Sequence, residues 1–83
     1  MNKALVEICI PAIGECFDIF VPVDIPIKDL TRVIASGVME ITSGRYVSTE
    51  QEYLCLNAPP GLLNPALTLQ DYDLKDGMQL YLI

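Results

Sequence analysis

The amino-acid sequence predicts an α+β domain: a mixed sheet in the order strand, strand, helix, strand, short strand, strand, with one helix packed on one face. Three features carry this expectation. Residues 4–10 and 16–21 both alternate apolar with polar side chains across a turn containing Pro11 and Gly14, which reads as a hairpin. From Ile27 the apolar spacing changes to three and four, which is the period of a helix. Residues 78–83 return to alternation and close the sheet.

In the first strand Val6, Ile8 and Ile10 share the inner side, and Glu7 and Cys9 the outer. Residues 11–15 form the turn, where Gly14 is free to adopt a positive φ. In the second strand Phe17, Ile19 and Val21 face in, while Cys16, Asp18 and Phe20 face out. Pro26 is expected as the first helical residue, a position whose amide has no intrahelical partner. Asp24 and Asp29 then lie near the positive end of the helix dipole. Ile27, Leu30, Ile34, Val38 and Ile41 form the buried stripe. Gly37 marks either close packing on the sheet or an early helix end, and Ser43-Gly44 is a plausible C-terminal cap.

Residues 45–52 read as a polar connection. In the strand at residues 53–56, Leu54 and Leu56 point one way, Tyr53 and Cys55 the other. Residues 57–61 carry two prolines, which cannot donate ladder hydrogen bonds, and are expected to be a turn. Leu62-Leu63 is a very short strand, and a turn over residues 68–74 leads through Asp76-Gly77 into the last one. There Leu80 and Leu82 face the core, and Gln79, Tyr81 and Ile83 face out. The apolar inner row of this strand suits a central place, beside the first strand and parallel to it.

Residues 1–83 suffice for a single domain. The net charge is −6 with five basic residues, which leaves no footprint for nucleic acid or for an anionic membrane surface. No leader-like segment or apolar run of about 18 residues is present, so a cytoplasmic location without membrane insertion is expected. Cys9, Cys16 and Cys55 lack metal-ligand spacing and are expected as free thiols in a reducing compartment. Glu7 and Asp18, beside Cys9 and Cys16, would raise rather than lower a thiol pKa. The absence of histidine removes Ser/His and Cys/His catalysis and most zinc sites. The scattered glycines form no phosphate loop, and Asp71, Asp73 and Asp76 lack the bidentate glutamate of a calcium loop. No catalytic residue, cofactor or metal is therefore expected.

The run Thr-Leu-Gln-Asp-Tyr-Asp-Leu at residues 68–74 resembles the segment before the last strand of ubiquitin. Residues 68–83 align with ubiquitin without a gap, and residues 21–27 match in length the segment joining its hairpin to its helix. The resemblance implies a ubiquitin-like β-grasp, with the Tyr72 hydroxyl bonded to backbone in the loop before Thr68. Among such proteins, three stretches resemble the small YukD/EsaB family associated with type VII secretion in Gram-positive bacteria. They are Pro-Ile-Lys-Asp-Leu at residues 26–30, Leu-Asn-Ala-Pro at 56–59 and the ending Leu-Lys-Asp-Gly-Met-Gln-Leu-Tyr-Leu-Ile.

That likeness implies a non-catalytic, cytoplasmic interaction module, a component or regulator of a secretion system. Its partner would be a protein, with a membrane-anchored secretion component as the candidate and a homo-oligomer as the alternative. Two rival functions are a small accessory subunit of a multicomponent enzyme and a sulfur carrier or protein modifier. The latter is disfavoured because the sequence ends at Ile83 without Gly-Gly.

Alternation places Cys9, Phe20, Tyr53, Cys55, Tyr81 and Ile83 on the outer sheet face, with Cys16 beside them, and makes that face the expected partner-binding surface. Cys55 and Ile83 correspond to two members of the apolar recognition patch of ubiquitin. Glu7, Asp18 and Glu52 are the expected rim.

Overall fold

The computed structural model of the protein describes residues 3–57, 60–73 and 77–83. In chain order its elements are β1 (Lys3–Ile10), β2 (Glu15–Pro22), α1 (Ile27–Ile41), β3 (Leu54–Asn57), β4 (Pro60–Leu62), a 3₁₀ turn (Leu69–Tyr72) and β5 (Gln79–Leu82). The sheet order is β2-β1-β5-β3-β4. β5 runs parallel to β1 and antiparallel to β3, so the last strand is central, as its apolar inner row requires. With one helix against one face, this is the ubiquitin-like β-grasp.

The hairpin pairs Lys3 with Pro22 through to Ile10 with Glu15, which leaves a four-residue turn, 11–14, one shorter than expected. Gly14 closes it at φ +65°, the left-handed region that lacks a steric penalty only for glycine. Its amide donates to the Ile10 carbonyl at 3.0 Å.

The core lies between the inner sheet face and α1. Val6, Ile8, Ile10, Val21, Leu54, Leu80 and Leu82 project from the sheet onto Ile27, Leu30, Ile34, Ala35 and Val38 of the helix. Each fully buried aliphatic side chain contributes on the order of 1.5–3 kcal/mol of transfer free energy. Ile41 departs from the expected stripe and is 53% exposed. Its angular position is right, but it is the last helical residue. The chain leaves the helix there, and Thr42 and Tyr46 occupy the buried places instead. Gly37 is neither a close contact nor a helix end: the helix runs through it, and a Cβ there would meet nothing within 4 Å.

Both helix ends use backbone partners. Pro26 is the N-cap rather than the first helical residue, and it offers no side-chain cap. The first two helical amides instead donate to the loop before Thr68: Ile27 to Leu67 O at 2.7 Å and Lys28 to Pro65 O at 3.0 Å. This satisfies donors that every helix leaves over. At the C-terminus Gly44 N–H bonds Met39 O and Ser43 N–H bonds Glu40 O, the paired pattern of a Schellman end. Ser43 takes the left-handed position at φ 54°, with Gly44 following at φ 87°.

Two further expectations are corrected. Asn57, Pro60 and Gly61 belong to the β3–β4 ladder rather than to a turn; Ala58 and Pro59 lie outside the described residues. Pro60 is tolerated because it opens an edge strand, where a missing donor is least felt. The 45–52 connection is not wholly polar, since Tyr46 is buried in the core. Its hydroxyl donates to the Glu52 carboxylate, and its amide donates to Thr42 Oγ1 at 3.1 Å.

Candidate partner-binding face

Register turns the predicted outer residues into rows across the sheet. Cys16 is opposite Cys9, Cys9 is level with Tyr81, Tyr81 with Cys55 and Cys55 with Leu62. One row therefore crosses all five strands and carries apolar or sulfur-bearing side chains throughout. One step along lies a polar row, Asp18 opposite Glu7 and Glu7 level with Gln79. Beyond it Phe20 stands opposite Leu5.

At the other end Tyr53 and Ile83 exchange two backbone hydrogen bonds, of 2.8 and 3.0 Å, so Ile83 is held in the sheet one residue past β5. Phe20 is 67% exposed, Leu62 62%, Ile83 55% and Tyr53 52%.

The structure thus brings Tyr53, Cys55, Tyr81 and Ile83 together beside Leu62. Phe20 is separated from them by the acidic row. Leu62 escaped the sequence reading because a two-residue strand has no parity of its own; its face is set by the pairing with Cys55. Glu52 is not a free rim residue, because its carboxylate accepts from the Tyr46 hydroxyl and, at 3.0 Å, from the Thr49 amide.

Burial alone would push the Glu52 carboxyl up, but hydrogen bonds from Tyr46, Ser48 and nearby amides outweigh it and hold its pKa below the ordinary carboxylate value. Burial first, and then the bond and charge of Glu52, push the Tyr46 phenol well above its ordinary value.

Cys9 and Cys16 are not free thiols. They are joined in a cross-strand disulfide, with Cα atoms 4.0 Å apart. Their common face was readable from alternation; their placement directly opposite one another follows from the four-residue turn. Cys9 is 5% exposed, so it contributes little surface to the face. Gln79 covers it, with Nε2 at 3.3 Å from Cys9 Sγ. The same Nε2 donates to Glu7 Oε1 at 2.7 Å, and the Tyr81 hydroxyl donates to Gln79 Oε1 at 3.3 Å. Cys55 is a free, half-buried thiol whose pKa is raised by burial.

Among the described residues no group of His, Cys, Asp and Glu side chains could hold a metal ion, and no helix is long and apolar enough to cross a membrane. Asp71 is engaged in a capping box, exchanging hydrogen bonds with Thr68. Asp76 lies outside the described residues.

No protein-family model matches the sequence, and no curated protein matches it. Solved structures do match the fold. The ubiquitin-like domain of the type VII secretion protein EccD1 of Mycobacterium tuberculosis superposes with a TM-score of 0.80 at 15% identity, covering 100% of this chain and 99% of that one. The EccD5 ubiquitin-like domain from Mycobacterium xenopi gives a TM-score of 0.72 at 20% identity, covering 100% and 94%. A chain of the MycP5-free ESX-5 inner membrane complex gives 0.71 at 19% identity; this protein covers 21% of that chain's length. Caldiarchaeum subterraneum ubiquitin gives 0.67 at 14% identity, covering 99% and 92%.

Proposed function

We propose that this protein is a non-catalytic, cytoplasmic interaction module of a type VII secretion apparatus, acting as a component or regulator. The observation that carries the reading is the end-to-end superposition on the EccD1 ubiquitin-like domain. The residue likeness at 26–30 and 56–59 supports the finer assignment to the YukD/EsaB kind.

The tool is surface complementarity. Tyr53, Cys55, Leu62, Tyr81 and Ile83 supply a contiguous apolar centre, and aromatic anchors of this type dominate docking energetics. Glu7 and Asp18 stand directly opposite each other beside that centre. The partner surface that fits is therefore apolar at its middle and bears lysine or arginine at its edge, which would relieve the like-charge pair. A cytosolic segment of a membrane-anchored secretion subunit is the proposed occupant.

The test is capture of solubilised secretion-complex subunits by the folded, immobilised chain. Retention of those subunits, with loss of at least about tenfold on Tyr81→Asp or Ile83→Asp, is the expected outcome. Both side chains point away from the core, so these variants keep the fold. Undiminished capture by both variants removes this face from the reading. Self-association abolished by the same substitutions would replace the secretion partner with a second copy, and co-purifying hydroxylase subunits would favour the accessory-subunit alternative.

A further inference from the structure

The disulfide is asymmetric. Cys16 is exposed on the edge strand β2, whereas Cys9 is buried on β1 beneath the Gln79 carboxamide. A small, mostly apolar pocket opens beside the pair, with Cys9, Cys16, Ile10, Gln79, Tyr81 and the acidic Glu15 among its lining. The bond also stabilises the fold less than a cross-link closing a long loop would. It closes a short loop whose strands are already paired from Lys3–Pro22 to Ile10–Glu15, and short loops lose the least chain entropy on closure.

We propose that the Cys9–Cys16 pair is a thiol-exchange site for a low-molecular-weight thiol, entered through Cys16 and released through Cys9. The incoming thiolate attacks Cys16 Sγ, the sulfur on the exposed residue. A new S–S bond forms to Cys16, the Cys9–Cys16 bond breaks, and its electron pair leaves on Cys9 as a thiolate. Gln79 Nε2–H is already within reach of Cys9 Sγ and can donate to the charge that develops there.

A second thiolate attacking the mixed disulfide frees Cys16 and carries away the oxidised thiol. Two thiol molecules are thus oxidised to one disulfide, and the protein gains two electrons and two protons. The attacking thiolate forms outside the protein, so the acidic neighbours Glu7 and Asp18 do not oppose its formation; they do oppose the Cys9 thiolate that departs, and the Gln79 amide offsets that charge. Cys55 stays outside this chemistry, because burial raises its pKa and Tyr81 stands between it and Cys9 in the row.

The experiment exposes the folded chain to graded ratios of reduced and oxidised glutathione, quenches with acid, alkylates free thiols and maps the peptides by mass. The expected product carries glutathione on Cys16 and the alkyl group on Cys9, in roughly tenfold or greater excess over the reverse adduct. Cys9→Ser is expected to retain glutathione on Cys16, and Cys16→Ser to take it onto Cys9 about tenfold more slowly or worse. The mapping on the native sequence decides the matter even if a variant fails to fold.

The fully reduced chain is expected to keep its far-ultraviolet circular dichroism. Equal labelling of Cys9 and Cys16, glutathione accumulating chiefly on Cys55, or unfolding on reduction would each overturn the proposal.

Discussion

The Tyr72 hydroxyl accepts a hydrogen bond from the Asn64 amide at 2.8 Å, across a gap of eight residues. This bond closes a clamp on the N-terminus of α1. Pro65 and Leu67, just beyond Asn64, supply the carbonyls that accept from Lys28 and Ile27. The Thr68–Asp71 capping box then starts the 3₁₀ turn that presents Tyr72. The tyrosine thus positions, through the loop, the partners of a helix end that has no side-chain cap.

Tyr72→Phe keeps the ring and removes the acceptor. A single hydrogen bond of this kind is worth about 1 kcal/mol net. Urea denaturation should show a loss of that order, with the circular dichroism of the native state unchanged. Hydrogen exchange at the Asn64, Ile27 and Lys28 amides should accelerate together if the clamp acts as one unit.

Gly37→Ala should stabilise. The helix runs through this position with no contact that requires glycine. Alanine is favoured over glycine in a helix interior by about 0.8–1 kcal/mol. For a domain this small that corresponds to a rise of roughly 4–8 °C in melting temperature.

Ser43→Gly should also stabilise, for a different reason. Ser43 holds the left-handed position of the Schellman end at φ 54°. A non-glycine residue there costs on the order of 1 kcal/mol, which glycine avoids. A rise in melting temperature is expected for Ser43→Gly, and a fall for Ser43→Val, whose β-branch suits that conformation less. Equal melting temperatures for the three proteins would contradict the assigned cap.

The Tyr46–Glu52 pair makes a pH prediction of fixed sign. Glu52 is held below its ordinary value of 4.5, so its stabilising contribution is present above that pH and is lost as pH falls through the depressed native value. Glu52→Gln should flatten the acid limb of a plot of urea midpoint against pH. Tyr46 is raised above its ordinary 10.0, so the folded protein keeps this phenol protonated above that pH. An ultraviolet titration of the folded chain should therefore lack one tyrosine's amplitude until stability fails at higher pH, and Tyr46→Phe should remove that missing component.

Alternation in residues 4–10 and 16–21, the change of period at Ile27 and the alternating end were enough to specify most side chains of the core, Ile41 and Tyr46 excepted, because facing depends on a local period of 2 or 3.6. The same parity named most of the outer face, and the likeness at 68–74 placed the Tyr72 bond. Register was beyond reach, since shortening one turn by a residue changes every cross-strand partner.

Register is what sets Cys9 against Cys16 and Leu62 beside Cys55. Side chains that close over other residues were equally hidden: Gln79 covering Cys9, Tyr46 turning inward to reach Glu52, and the loop carbonyls that replace a cap on α1. Local pattern dictates which way a residue points. What it meets there depends on segments tens of residues away, brought near by burial of the shared core.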